Sequence, residues 1–273
     1  MRALLLAISL LLPAPCLCAQ TSHPGFDRNL YPGDAALPAL RKHFAFTGYW
    51  LNNPPGETTN TWAGRRAVLV KQGFGFLVLF NGREDAQILR QKRRGTSPDT
   101  LGKKDAATAI DAAKREGFPA GAVIFLDQEE GGRLLEEQSA YLLAWTEAVA
   151  ASSYRPGAYL SGQPVEDGQG KTITTAQHVR QLVAERHLHP VALFIYQDSC
   201  PPSTGCTVAP PPMTSAGTDG IVAWQYAQSP RRPENTAACR KTYAPDNNCY
   251  APGLPRIYLD MNIATSDDPS NGR

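Results

Sequence analysis

Three acids fall within four positions, Asp127, Glu129 and Glu130, directly after the apolar run Val123-Ile124-Phe125-Leu126. Packing alone gives no reason for a buried strand to end this way. On an extended strand, residues i and i+2 project to the same face, about 6–7 Å apart. Asp127 and Glu129 therefore share a face, and Gln128 takes the other. Glycoside hydrolysis commonly uses a pair of carboxyls about 5–9.5 Å apart. One of them must stay protonated, and crowding by a second carboxyl together with partial burial raises its pKa. Blander roles compete. Asp127 could cap a following helix, and Glu130 is best read as a first-turn acid facing a helix dipole.

The elements that must position these acids alternate. "PGFD" is a short stub ending at Asp27, and "DAALPALRKHF" has helical spacing. "AFTGYWL" reads as a strand, "TNTWAGRRAVLVKQG" as a helix closing on Gly73, and "FGFLVLFNG" as a strand. A polar loop is expected over Arg83–Asp99. "TLGKKDAATAIDAAKREG" is helical, "GAVIFLD" a strand, and "GRLLEEQSAYLLAWTEAVAAS" a long helix. "PGAYLSG" and "TTAQHVRQLVAERH" make one more strand and helix. "PVALFIYQD", "GIVAWQYA" and "PRIYLDMN" are then strands separated by Pro- and Cys-rich loops. Strands apolar on both faces imply a parallel sheet covered by helices. Eight of them imply an α/β fold, a TIM-like barrel with five βα units followed by three strands lacking regular helices.

Barrel active sites form where strands end. At those ends stand Asp27, Tyr49 and Trp50, Asp127 and Glu129, Tyr159, Tyr196, Trp224 and Tyr226, and Asp260 and Asn262. Asp27, Asp127, Glu129 and Asp260 are the candidate catalytic carboxyls. The aromatics and Asn262 are candidate substrate contacts, since sugar rings stack their C–H faces on aromatic rings. Trp224 and Tyr226 are equally well placed to plug the barrel.

The 273 residues are 42% hydrophobic, and the net charge is +2. Neither value steers the chain to nucleic acid. The basic cluster Arg90–Arg94 reads as a solvated loop. Residues 1–19 read as a secretory signal, with Arg2 before an apolar run too short to span a bilayer. No stable membrane insertion is expected, and a lipid anchor on Cys16 or Cys18 is disfavoured. Four cysteines remain in the mature chain, Cys200, Cys206, Cys239 and Cys249, which in an exported protein suggests disulfides. Three pairings are open, and short-range closure favours Cys200–Cys206 with Cys239–Cys249. The barrel is assigned to residues 20–265, and 266–273 to a disordered tail.

The motifs at the strand ends resemble those of family 25 glycoside hydrolases, the bacterial and phage muramidases. Gly-x-Asp is matched by Gly25–Asp27, Asp-x-Glu by Asp127–Glu129, Trp-Gln-Tyr by Trp224–Tyr226 and Asp-x-Asn by Asp260–Asn262. The resemblance spans nearly the whole mature chain. Those muramidases usually end the second strand in Lys-Ala-Thr-Glu-Gly, where this chain has "YWLNNPPG". In this respect it is similar to a sister group, the glycoside-hydrolase-like domains of exported bacterial proteins. The resemblance implies Glu129 as general acid, with Asp127 orienting a substrate acetamido group and Asp27 and Asp260 completing an acidic floor. It implies cell-wall glycan as partner. A monomer without cofactor or metal is expected. The missing Lys and Glu keep open a catalytically silent barrel that binds the same glycans. Ser161 lacks a Gly-x-Ser-x-Gly elbow, and Gly73–Val78 opens a strand where a dinucleotide loop would follow one.

Overall fold

The computed structural model describes residues 22–273, so the expected signal at 1–19 lies outside the described residues. Eight strands close a barrel. They are β1 (His23–Asp27), β2 (Phe46–Trp50), β3 (Gly75–Asn81), β4 (Val123–Gln128), β5 (Arg155–Ser161), β6 (Ala192–Tyr196), β7 (Ala223–Ala227) and β8 (Asp260–Ala264). Strands β1 to β7 run parallel around the wall. β8 closes the ring antiparallel to both β7 and β1.

That direction corrects the all-parallel expectation. "PRIYLDMN" is two strands. Leu254–Tyr258 turns back on Tyr250–Ala251 as a surface hairpin, and β8 begins only at Asp260. Asp260 thus reaches the mouth as the first residue of a descending strand, opposite Asp27, the last residue of the ascending β1.

Helices lie outside the barrel: α1 (Leu37–Arg41), α2 (Arg66–Lys71), α3 (Asp85–Arg93), α4 (Pro98–Glu116), α5 (Glu136–Ala150), α6 (Thr175–Glu185) and the short α7 (Pro233–Thr236). α4 starts as its sequence dictates. The Ser97 hydroxyl accepts from the Thr100 N–H, Pro98 sits in the first turn, and Gly117 ends the helix at φ 77°. A methyl group on Gly102 would lie 2.3 Å from the Tyr141 carbonyl, so glycine lets α4 lie close against α5. α3 occupies part of the expected Arg83–Asp99 loop. Only Ile88 of this helix is buried, which left no apolar stripe to read. Its start is fixed from outside, by the Glu130 carboxylate accepting from the Asp85 N–H at 3.1 Å. Glu130 therefore serves α3 across the loop and not its own following helix.

The tail expected to be disordered is a structural strip. β3 and β4 pair directly only from Val78 and Ile124 upward. Below that point Ser270 stands between them, donating its N–H to the Phe76 carbonyl while its own carbonyl accepts from Val123. The Asp268 carboxylate accepts from the N–H groups of Phe76, Gly272 and Arg273, and the Ser270 hydroxyl from that of Val78. Arg66 holds the Gly272 carbonyl at 2.7 Å. A polar composition suggested solvent, but these side chains satisfy strand N–H groups that would otherwise be orphaned.

The cystines also differ from expectation. The bridges are Cys200–Cys239 and Cys206–Cys249, with Cα separations of 5.6 and 5.1 Å. Each ties the loop after β6 to the connection between β7 and β8. Closure within one loop would have left those two helix-poor segments unconnected, whereas bridging them lets each brace the other.

Asp268→Ala should lower unfolding free energy by about 2 kcal/mol, because it leaves the buried Phe76 N–H without a partner. Urea unfolding checks this, and unchanged stability would show that the tail does not hold β3.

Candidate functional site

Four carboxyls stand at one end of the barrel. Asp27 closes β1 and is buried. Its Oδ2 accepts from Asn262 Nδ2 at 2.7 Å and from Gln225 Nε2 at 3.0 Å. Gln225 in turn accepts from the Tyr159 hydroxyl at 2.6 Å. Glycine makes room for this acid: a methyl group on Gly48 would lie 2.5 Å from the Asp27 Cβ. Burial is the largest influence on Asp27 and pushes its pKa up to about 6 against the opposing hydrogen bonds from Asn262 and Gln225. Asp260 accepts from the Ser229 N–H. Its pKa is held well above the ordinary value by burial first and then by the Asp27 charge.

Asp127 lies beside Tyr159 and Asn81 in the strand register. It is buried, and its Oδ1 has no hydrogen-bond partner among the described residues. Burial and then the Glu129 charge hold its pKa well above the usual range. Glu129 stands just past the end of β4, its side chain 40% exposed. Its backbone carbonyl accepts from the Tyr196 hydroxyl at 2.9 Å, and its Oε2 accepts from Arg232 Nη2 at 2.9 Å. Desolvation raises the Glu129 pKa, with Arg232 opposing the shift. The guanidinium of Arg232 lies over the Tyr196 ring, 5.0 Å from its centroid.

Two cavities meet here. One, of about 450 Å³, is lined by Asp27, Trp50, Tyr159, Arg232 and Asp260 among others. A second, of about 580 Å³, takes in Asn81, Arg83, Asp127 and Glu130. Glu129 and Pro55 line both. An ion pair of Arg83 with Asp105 at 2.6 and 2.8 Å ties the wall of the second cavity to α4.

The sequence-predicted residues divide by strand parity. Asp27, Asp127, Glu129, Asp260, Trp50 and Tyr159 line the cavities. Asn262 lies beneath them on Asp27, and Tyr196 supports Glu129 and Arg232. Tyr49, Trp224 and Tyr226 do not join them. The Tyr49 hydroxyl bonds Glu116 in the helical layer. Trp224 Nε1 donates to the Gln197 carbonyl at 2.7 Å, and the Tyr226 hydroxyl to that of Thr207 at 2.6 Å. Both pack under the cystine-linked loops and so neither line the cleft nor plug the barrel. Neighbours on a strand face opposite ways, so Gln225 points inward where Trp224 and Tyr226 cannot. The sequence reading missed Arg232, whose "SPRRPEN" surroundings show only charge in a loop.

A family model described as the Rv2525c-like, glycoside hydrolase-like domain matches residues 46–199. The chain belongs to this family. The matched region runs from β2 to just beyond β6 and contains Asp127 and Glu129, while Asp27, Gln225, Arg232 and Asp260 lie outside it. Solved structures share the fold. An uncharacterized B. stearothermophilus protein is 18% identical with a TM-score of 0.56, over 89% of this chain and 95% of that one. The Mycobacterium tuberculosis Tat-secreted protein Rv2525c, in complex with L-tartrate, is 9% identical with a TM-score of 0.53, over 89% and 94%. No curated protein matches. The fold is thus a glycoside-hydrolase-like barrel.

Raised carboxyl pKa values make this site costly at neutral pH. A carboxyl whose folded pKa exceeds its unfolded value binds its proton more tightly in the native state. Its contribution is fully favourable below the unfolded value and is lost as pH rises through the folded one. For Asp27 that window runs from about 4 to about 6, and Asp127 shifts in the same direction. Asp127→Asn should therefore raise the melting temperature relative to wild type at pH 7, with the gain vanishing below about pH 4. Paired thermal melts across this range check it. An equal difference at both ends would show that charge burial is not the cause.

Proposed function

We propose that the protein is a secreted glycoside hydrolase acting on the amino-sugar glycan of peptidoglycan, with Glu129 as proton donor. One observation carries the reading: Glu129 lies where two cavities meet, beside a buried carboxyl, with its own pKa raised. A polymer crossing from one cavity to the other presents a linkage to Glu129, which protonates the leaving oxygen as the bond breaks. Asp127, which lines the second cavity beside Glu129, is the group placed to accept from an acetamido N–H of the sugar. Asp27 and Asp260 complete the acidic floor, and the buried Trp50 and Tyr159 line the wall beside them. Among the described residues no helix is long and apolar enough to cross a membrane. The two cystines support an oxidising compartment.

A second reading has its own support. The loop after β2 carries neither the Lys nor the Glu of the muramidases. Asn52 instead exchanges hydrogen bonds with the Asn81 backbone at 2.8 and 2.9 Å, closing the loop on β3. A barrel that binds wall glycans without cleaving them fits this feature.

Incubation with purified sacculi separates the two. Wild type should release new reducing ends, and Glu129→Gln should do so at least about a hundredfold more slowly. Co-sedimentation without release from either protein would leave only the binding reading.

A further inference from the structure

Arg232 belongs to the connection between β7 and β8 and lines the cavity that holds Asp27, Glu129 and Asp260. Its guanidinium donates from Nη2 to Glu129 Oε2 and also reaches the Tyr196 hydroxyl. A guanidinium carries five N–H donors in a planar fork, so most of its capacity is unspent. The side chains of the pair are 37% and 40% exposed. Ion pairs this accessible contribute little to stability and exchange readily. The cation is nevertheless held in place, its Cζ over the Tyr196 ring, 5.0 Å from the centroid, while the Tyr196 hydroxyl fixes the Glu129 backbone. This arrangement pre-orients a fork, the geometry that takes a carboxylate in two parallel hydrogen bonds. It also matters electrostatically. A cleft lined by Asp27, Glu129 and Asp260 disfavours anions, and a glycan bearing a carboxylate needs a local cation to enter.

We propose that Arg232 selects acidic glycans: a carboxylate on the sugar displaces Glu129 from the guanidinium and is held there over Tyr196. The inference rests on the glycan reading above and narrows it to carboxylate-bearing chains. The exchange leaves Glu129 without its counter-charge, beside the linkage it is to protonate. Arg232 thereby acts as a specificity residue that also releases the acid.

The test uses one peptidoglycan tetrasaccharide in two forms, with free carboxylates and as the methyl ester, titrated calorimetrically in the cold. Wild type should bind the free acid about tenfold or more tightly than the ester, the scale of a charge-assisted bidentate contact. Arg232→Gln should bring that ratio close to one, and Arg232→Lys should retain part of it. A merely structural Arg232 would weaken both forms together and leave the ratio intact, which overturns the proposal. Equal binding of both forms by wild type overturns it too while the glycan reading stands. Binding of neither form brings down both.

Discussion

Everything at the mouth follows from the difficulty of placing several carboxyl groups in one poorly hydrated space. A buried carboxylate must be neutralised, hydrogen-bonded or paired. The site uses all three solutions in a graded way. Asp27 accepts two side-chain amides. Asp260 takes a backbone N–H. Glu129, nearest solvent, takes the guanidinium. Asp127 has the least support, with one oxygen unpartnered among the described residues. Such unevenness drives neighbouring acids toward different protonation states, which is what acid catalysis by one member of a pair requires.

The rest of the barrel is arranged to bear that cost. Tyr159, Gln225, Asp27 and Asn262 form a hydrogen-bonded row across β5, β7, β1 and β8, which leaves Asn262 Oδ1 without a partner among the described residues. Where helices are few, on the β6–β8 side, two cystines and the outward-facing Trp224 and Tyr226 replace a helical layer. At the opposite end the Asp268–Ser270 strip fills the gap between β3 and β4.

Much of this was legible in the sequence, and the failures have physical causes. The strand count followed from the apolar runs, and Asp27 and Asp127 stand at strand ends as those runs suggested, whereas Asp260 reaches the mouth by beginning β8 instead of ending a strand. Asp127 and Glu129 both line the second cavity, but so does Gln128, which alternation alone would have turned away, because the strand ends at Gln128 and Glu129 lies beyond it. The same rule applied to "GYW" and "AWQYA" admits Trp50 and Gln225 and turns out Tyr49, Trp224 and Tyr226. The direction of β8 could not be read, because a short strand carries no sign of its polarity. The tail and α3 were hidden for a shared reason: both are stabilised by polar contacts far away in sequence, from Phe76 and Glu130, and local composition does not record such partners.

The antiparallel course of β8 has a consequence for how such a protein can change. β7 ends at the mouth and β8 begins there. The chain between them, from Gln228 to Leu259, therefore never has to cross the length of the barrel. It is an excursion at one rim, and it supplies Gln228, Arg231, Arg232 and Glu234 to the cleft. An ordinary βα unit must return its chain to the far end, so its length is bound to the helix it carries. This segment is free of that requirement. Insertions, deletions or exchanges within it would alter one whole wall of the cleft while the eight-stranded frame stayed closed. In a lineage that diversifies, ligand preference would drift fastest here.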